Sequence, residues 1–198
     1  MLVYYISHPE VEINPDIPVS SWGLNHAGKT RVSKLVDAGW LKGVSNVVSS
    51  AEIKAIETAN PIARALGIQI DIRPAMHEND RSSTGYLPAE EFEMVANKFF
   101  AKPNDSIHGW EKAVDAQKRI VSQTEEVLKN TRSGNLLIVG HGAVGTLLFC
   151  HYSNVPISRN HDQTGGGNYF TFRAKNRQIL HAWRPIECRP VAKYSEVE

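Results

Sequence analysis

Short runs of large apolar residues alternate with stretches of helical spacing along most of this chain. The apolar runs are Leu2-Val3-Tyr4-Tyr5-Ile6, Val44-Ser45-Asn46-Val47-Val48, Ile68-Gln69-Ile70-Asp71-Ile72 and Leu136-Leu137-Ile138-Val139. Runs this short, bounded by polar or glycine-rich turns, read as strands. The last, apolar at four successive positions, reads as one covered on both faces in the middle of a parallel sheet. Between the runs the spacing becomes helical. From about Asn25, the residues Val32, Leu35, Val36 and Trp40 fall on one helical face. Ser49-Ser50-Ala51-Glu52 reads as a capping box opening a helix that turns Ile53, Ile56, Ala59 and Ala63 inward, kinks at Pro61 and ends at Gly67. Phe92, Val95, Ala96, Phe99 and Phe100 mark a helix begun at Pro88. Trp110, Val114, Ile120, Val127 and Leu128 mark a longer one stopped by Gly134. A further helix is expected over 143–152, and a closing hairpin over 169–173 and 179–183.

Strands alternating with helices predict a three-layer α/β/α sandwich with a mostly parallel sheet. A chain of 198 residues fits one domain, 1–198. The Phe92 and Trp110 helices follow one another with no strand between, so about 77–110 reads as a small lid insertion over the sheet. The net charge of +1 and the scattered basic residues argue against a nucleic-acid partner and confine any basic pocket to a local feature. No apolar run approaches membrane-spanning length, so no membrane partner is expected. Cys150 and Cys188 fit neither a metal motif nor a disulfide framework, and the amino end opens directly on a strand; both point to a cytoplasmic protein. A homodimer through apolar residues on the hairpin or lid stays open.

The polar residues at the expected carboxyl ends of strands carry the chemistry. They are Ser7-His8, Ser49-Ser50, Glu78 a few residues past the third strand, and His141, with Lys54 one turn into the second helix. Open α/β sheets bind ligands at this rim. Two chemistries compete for the turn after the fourth strand. Gly140-x-Gly142-x-x-Gly145 matches the dinucleotide fingerprint, strand before and helix after. No acidic strand end follows about twenty residues on, where the glycine run Gly165-Gly166-Gly167 lies instead. The other reading pairs His141 with His8. A neutral imidazole can attack phosphorus and hold the phosphoryl group. A second imidazole, a cation and the N–H groups at a helix start can meet its oxygens. A carboxylic acid can protonate the departing oxygen. A plain tight turn with a surface histidine is the third possibility.

In these residues the chain resembles the histidine phosphatase superfamily, also called phosphoglycerate mutase-like. The resemblance runs from the amino strand and its histidine through Trp22-Gly23-Leu24-Asn25-x-x-Gly28 and Ser49-Ser50-Ala51-Glu52-Ile53-Lys54-Ala55-Ile56-Glu57-Thr58-Ala59 to Val139-Gly140-His141-Gly142. It implies a phosphomonoesterase acting through a phosphohistidine intermediate on a small phosphorylated metabolite, without metal or other cofactor. His8 would accept the phosphoryl group, Glu78 would donate the proton, and His141 and Gly142 would line the phosphate pocket. Lys54 falls on a phosphate-binding arginine position.

The chain departs from the family in having Ser7-His8-Pro9 where the family has Arg-His-Gly. Ser7 and Lys54 therefore stand at two phosphate-binding positions without a guanidinium fork. Arg81 is the first candidate to supply the missing charge and Arg31 the second. Asp80 and His77 are alternatives to Glu78 as the acid. The expected partner is a small phosphorylated substrate or inorganic phosphate. The rival reading is a non-catalytic relative that binds phosphate or another anion, favoured by Ser7, Pro9 and Lys54. A phosphoglycerate-type mutase and an NAD(P)-binding protein come after it.

Overall fold

The computed structural model describes residues 1–190. Six strands form one mixed sheet: β1 (Leu2–Ser7), β2 (Val44–Ser50), β3 (Ile70–Arg73), β4 (Asn135–Gly140), β5 (Asn168–Arg173) and β6 (Ile179–Pro185), in the order β3-β2-β4-β1-β5-β6. β3, β2, β4 and β1 run parallel, whereas β5 pairs antiparallel with β1 and β6 antiparallel with β5. The helices are α1 (His26–Ala38), α2 (Ile53–Leu66), α3 (Ala89–Ala101), α4 (Ala113–Asn130) and α5 (Gly142–Tyr152).

The alternation of side chains along a strand divides the core in two. Val3 and Tyr5 of β1, with Leu136 and Ile138 of β4, meet α3, α4 and α5 on one face. Tyr4 and Ile6, with Leu137 and Val139, meet α1 and α2 on the other. The continuous apolar run of β4 is thus covered on both faces, as its pattern demands. β1 sends its chain to α1 and β4 sends its chain to α5, so neighbouring strands diverge to opposite layers. That divergence opens a crevice at their carboxyl ends. In register, Ser7 lies opposite Gly140, which sets His8 beside His141.

Four local expectations need correction. Ser49 and Ser50 are the last residues of β2, and α2 starts at Ile53 with Glu52 as its cap residue but no side-chain cap bond. The capping box does not form, because the Glu52 carboxylate is held by Lys54 and the Glu78 N–H instead. The buried stripe of α2 is Lys54, Ala55, Thr58, Ala59, Ile62 and Ala63, and Ile53 is 43% exposed. Small residues let this helix sit close to the sheet, and that turns the long Lys54 inward and Ile53 out. The third strand begins at Ile70 and not at Ile68, since the Ile68 N–H closes the end of α2 on the Ala63 carbonyl. Trp40 and Trp110 lie just outside α1 and α4, and Trp110 is buried in the core.

Candidate active site

His8 leaves the end of β1 with its backbone N–H on the Gly140 carbonyl at 3.0 Å, and its own carbonyl accepts the Gly167 N–H at 2.9 Å. The ring Nδ1 lies 2.8 Å from the Pro9 carbonyl. A carbonyl only accepts, so Nδ1 carries the proton and Nε2 keeps its lone pair. Pro9 lacks an N–H but supplies the one atom that fixes this tautomer. Burial and the Lys54 ammonium push the His8 pKa down from 6.5 to about 4, against the Pro9 bond and Glu52. At neutral pH the ring is uncharged.

The His141 ring faces it, with centroids 5.3 Å apart at 69°. His141 is fully buried at the cap position of α5, and the Tyr5 hydroxyl bridges its backbone N–H and carbonyl at 3.2 Å each. Ser50 Oγ lies 2.8 Å from Nε2 and already accepts the Glu52 N–H, so its own proton is free to go to Nε2. The other nitrogen, Nδ1, is buried without a partner among the described residues. An unmet buried donor costs on the order of 1–3 kcal/mol, and groups of this kind gather where a ligand completes them. Burial holds His141 well below the ordinary histidine pKa despite the attraction of Glu52.

Glu52 belongs to the site although the sequence marks it only as part of a helix cap. Its carboxylate pairs with Lys54 Nζ, accepts the Glu78 N–H at 2.9 Å and lies 3.6 Å from His141 Nε2. Burial works to raise its pKa, but His141 and Lys54 overcome this and hold it down at about 2. Lys54, 3% exposed, also donates to the Val19 carbonyl at 2.8 Å. The ammonium expected to meet an anion therefore shares its charge with an internal one.

Glu78 crosses from the loop after β3 to the start of α5. Its oxygens accept the N–H groups of Ala143 at 3.2 Å and Val144 at 3.0 Å, as well as that of Asn79 at 3.1 Å. Burial and the Glu52 charge raise its pKa while the Val144 N–H opposes them. Two neighbouring carboxyls are thus driven in opposite directions, one kept ionised and one disposed to hold a proton. Arg119 of α4 fixes the segment that carries Glu78. Its guanidinium donates to the carbonyls of Ala75, His77 and Glu78 and pairs with Glu111 at 2.7 Å. Asp80 is exposed and caps Ser82 locally, and His77 bonds the Glu78 carbonyl through Nδ1.

Arg81 stacks over the Phe92 ring at 4.8 Å, and its guanidinium makes no hydrogen bond or ion pair among the described residues. It lines a cavity of about 430 Å³ together with Glu52, Lys54, Glu78 and Asn79. Arg31 is occupied elsewhere, by Glu10, Glu187 and the carbonyls of Gly166 and Gly167. Ser7 Oγ is fully buried and reaches Gln163 Oε1 at 2.5 Å, and it also accepts the Asn168 N–H at 3.1 Å. Among the described residues no three His, Cys, Asp or Glu side chains are grouped as metal ligands, and no helix is long and apolar enough to cross a membrane.

The glycines of the fingerprint-like turn have packing duties. A Cβ at Gly140 would stand 2.4 Å from the Tyr5 hydroxyl, and one at Gly142 would stand 2.4 Å from Gln163 Nε2. At Gly145 it would meet the rings of Tyr5 and Trp183, at 2.5 and 2.8 Å. Close approach of side chains accounts for all three.

Solved structures share this fold at low identity. A mycobacterial glucosyl-3-phosphoglycerate phosphatase matches with a TM-score of 0.75 and 14% identity, over 92% of this chain and 95% of that one. YhfR of Bacillus stearothermophilus matches with a TM-score of 0.76 and 16% identity, over 91% and 94%. A mutant phosphoserine phosphatase of Entamoeba histolytica, in complex with phosphoserine, matches with a TM-score of 0.74 and 19% identity, over 91% and 95%. No curated protein matches in sequence. The sequence profile of the histidine phosphatase superfamily (branch 1) matches residues 4–180, and with two facing histidines at the carboxyl ends of adjacent parallel strands, the chain belongs to that superfamily.

Proposed function

We propose that the protein is a phosphomonoesterase that forms a phosphohistidine at His8. The observation that carries this reading is the facing pair of rings: His8 with a free Nε2 lone pair, and buried His141 with an unpartnered Nδ1. The family shown above and the phosphatases among the structural neighbours support it.

In the first half-reaction the His8 Nε2 lone pair attacks phosphorus. The N–P bond forms, the ester P–O bond breaks, and the departing oxygen takes the Glu78 proton. His141 Nδ1–H, the Gly142 N–H, Lys54 and Arg81 meet the phosphoryl oxygens. In the second half, water attacks phosphorus and gives its proton to the Glu78 carboxylate. The N–P bond then breaks, releasing inorganic phosphate and restoring His8. Arg81 stands in for the absent arginines, a role supported by its unpaired guanidinium. Residues 77–110 act as the lid, since Glu78, Asn79 and Arg81 all line the cavity. The setting is reducing and cytoplasmic, a reading supported by the free thiols of Cys150 and Cys188.

Turnover of p-nitrophenyl phosphate, with and without EDTA, tests the assignment. The expected result is a chelator-resistant rate in the wild type and none in His8→Ala. No rate in the wild type with p-nitrophenyl phosphate or a panel of phosphorylated metabolites would favour the anion-binding relative.

A further inference from the structure

Gln163, on the loop between α5 and β5, is assigned no role by the reading above, which the following inference extends. The orientation of its carboxamide is fixed by a neighbour. Asn168 Nδ2 is surrounded by the carbonyls of Thr164, Gly165 and Gly166 at 3.3, 3.1 and 3.2 Å, so that atom must be the donor NH2 group. The Gln163 atom that it also faces, at 3.2 Å, is then the oxygen, since two NH2 groups would repel there. The Ser7 hydroxyl lies 2.5 Å from the same oxygen and 3.2 Å from the Asn168 carbonyl, the shorter contact taking its proton. Both bonds to Oε1 leave Nε2 on the far side, against Gly142, where an added Cβ would stand 2.4 Å away. Neither N–H of that nitrogen has a partner among the described residues.

Three donors without a partner among the described residues therefore lie at the start of α5. They are Gln163 Nε2, the Gly142 amide, which also lacks a partner among the described residues, and the fully buried His141 Nδ1. The next two amides of the helix are already taken by Glu78. We propose that Gln163 is a direct ligand of the phosphoryl group. It supplies two neutral N–H donors where position 7, a serine, has no reach, and Ser7 serves to lock the carboxamide with its donors facing the ligand. A neutral donor suits this pocket, since Lys54 is already paired with Glu52.

The test is binding of inorganic phosphate by calorimetry to wild type, Gln163→Glu and Gln163→Met. Gln163→Glu keeps an oxygen for Ser7 and Asn168 but presents a second oxygen where the donors stood. Gln163→Met keeps the approximate volume without donors or charge, and serves if the glutamate variant does not fold. The expected result is a wild type that binds phosphate and folded variants that bind it about 10- to 100-fold more weakly, the range for losing a hydrogen bond to a charged group. A folded variant that keeps wild-type affinity overturns the role of Gln163 and leaves His8 as nucleophile untouched. A lower melting temperature with unchanged affinity overturns it equally, since that is what a purely structural residue would give. A wild type that neither binds phosphate nor turns over any phosphate ester removes the functional reading itself, and this inference with it.

Discussion

The Glu52 carboxylate pairs with Lys54 on the wall of the cavity proposed above for an anionic substrate. Its charge opposes that substrate, keeps Lys54 partly neutralised, and raises Glu78 toward its protonated form. Catalytic need and binding need thus pull in opposite directions at one residue.

Glu52→Gln separates the two. The amide oxygen can still accept the Glu78 N–H, but the charge is gone. Product inhibition by inorganic phosphate should tighten by about 10-fold, or about 1.4 kcal/mol. Glu78 should also lose its proton at lower pH, so the alkaline limb of kcat/KM should move to lower pH. Inhibition constants and pH profiles of the two proteins check both, and unchanged inhibition would contradict the charge argument.

The wild-type profile of kcat/KM should be bell-shaped. His8 must be neutral to attack, so the acid limb should fall near its pKa of about 4. Glu78 must be protonated to donate, so the alkaline limb should lie above the ordinary carboxyl value of 4.5. Glu78→Gln should lower kcat by about 10²- to 10⁴-fold and erase the alkaline limb. The loss should be larger for alkyl phosphates than for p-nitrophenyl phosphate, whose leaving group needs no proton. Equal losses on both substrates would remove Glu78 as the acid.

The same histidine should shape stability. Its pKa is lower when folded than when unfolded, so the unfolded chain binds more protons at intermediate pH. The contribution is fully present above 6.5 and is lost as pH falls toward about 4. Melting temperatures between these limits should fall less steeply for His8→Ala than for the wild type. Parallel curves would mean that the ring is not held neutral by the fold.

Gly145 tests the packing account of the fingerprint-like turn. A methyl group there would press on Tyr5, which stacks on Phe170 at 5.2 Å and meets Trp183 edge-on at 5.9 Å. Gly145→Ala should cost about 1–3 kcal/mol by overpacking, read from the urea midpoint. An unchanged midpoint would contradict this account.

The strands, their order in sequence and the two histidines were legible because apolar runs and a loop after each run are local signals. Arg81 was legible as a cation three residues after Glu78, in a chain that lacks the family's two arginines. Glu52 was not, since Ser-Ser-Ala-Glu before a helix is the pattern of a cap, and only the seating of α2 against the sheet shows that Glu52 turns inward beside Lys54. Gln163 carries no motif at all. Its contact with Ser7 spans 156 positions and arises because β5 lies beside β1. Arg119 was likewise hidden, as a polar residue on an amphipathic helix normally faces water.

The most direct test of the central claim is the intact mass of the protein quenched at alkaline pH, where phosphohistidine persists, during turnover of a phosphate ester. The wild type should gain the mass of one HPO3, located to His8 by peptide mapping, and His8→Ala should gain none. A wild type that turns over substrate with no such adduct, while His8→Ala stays active, would contradict the assignment of His8 as the nucleophile.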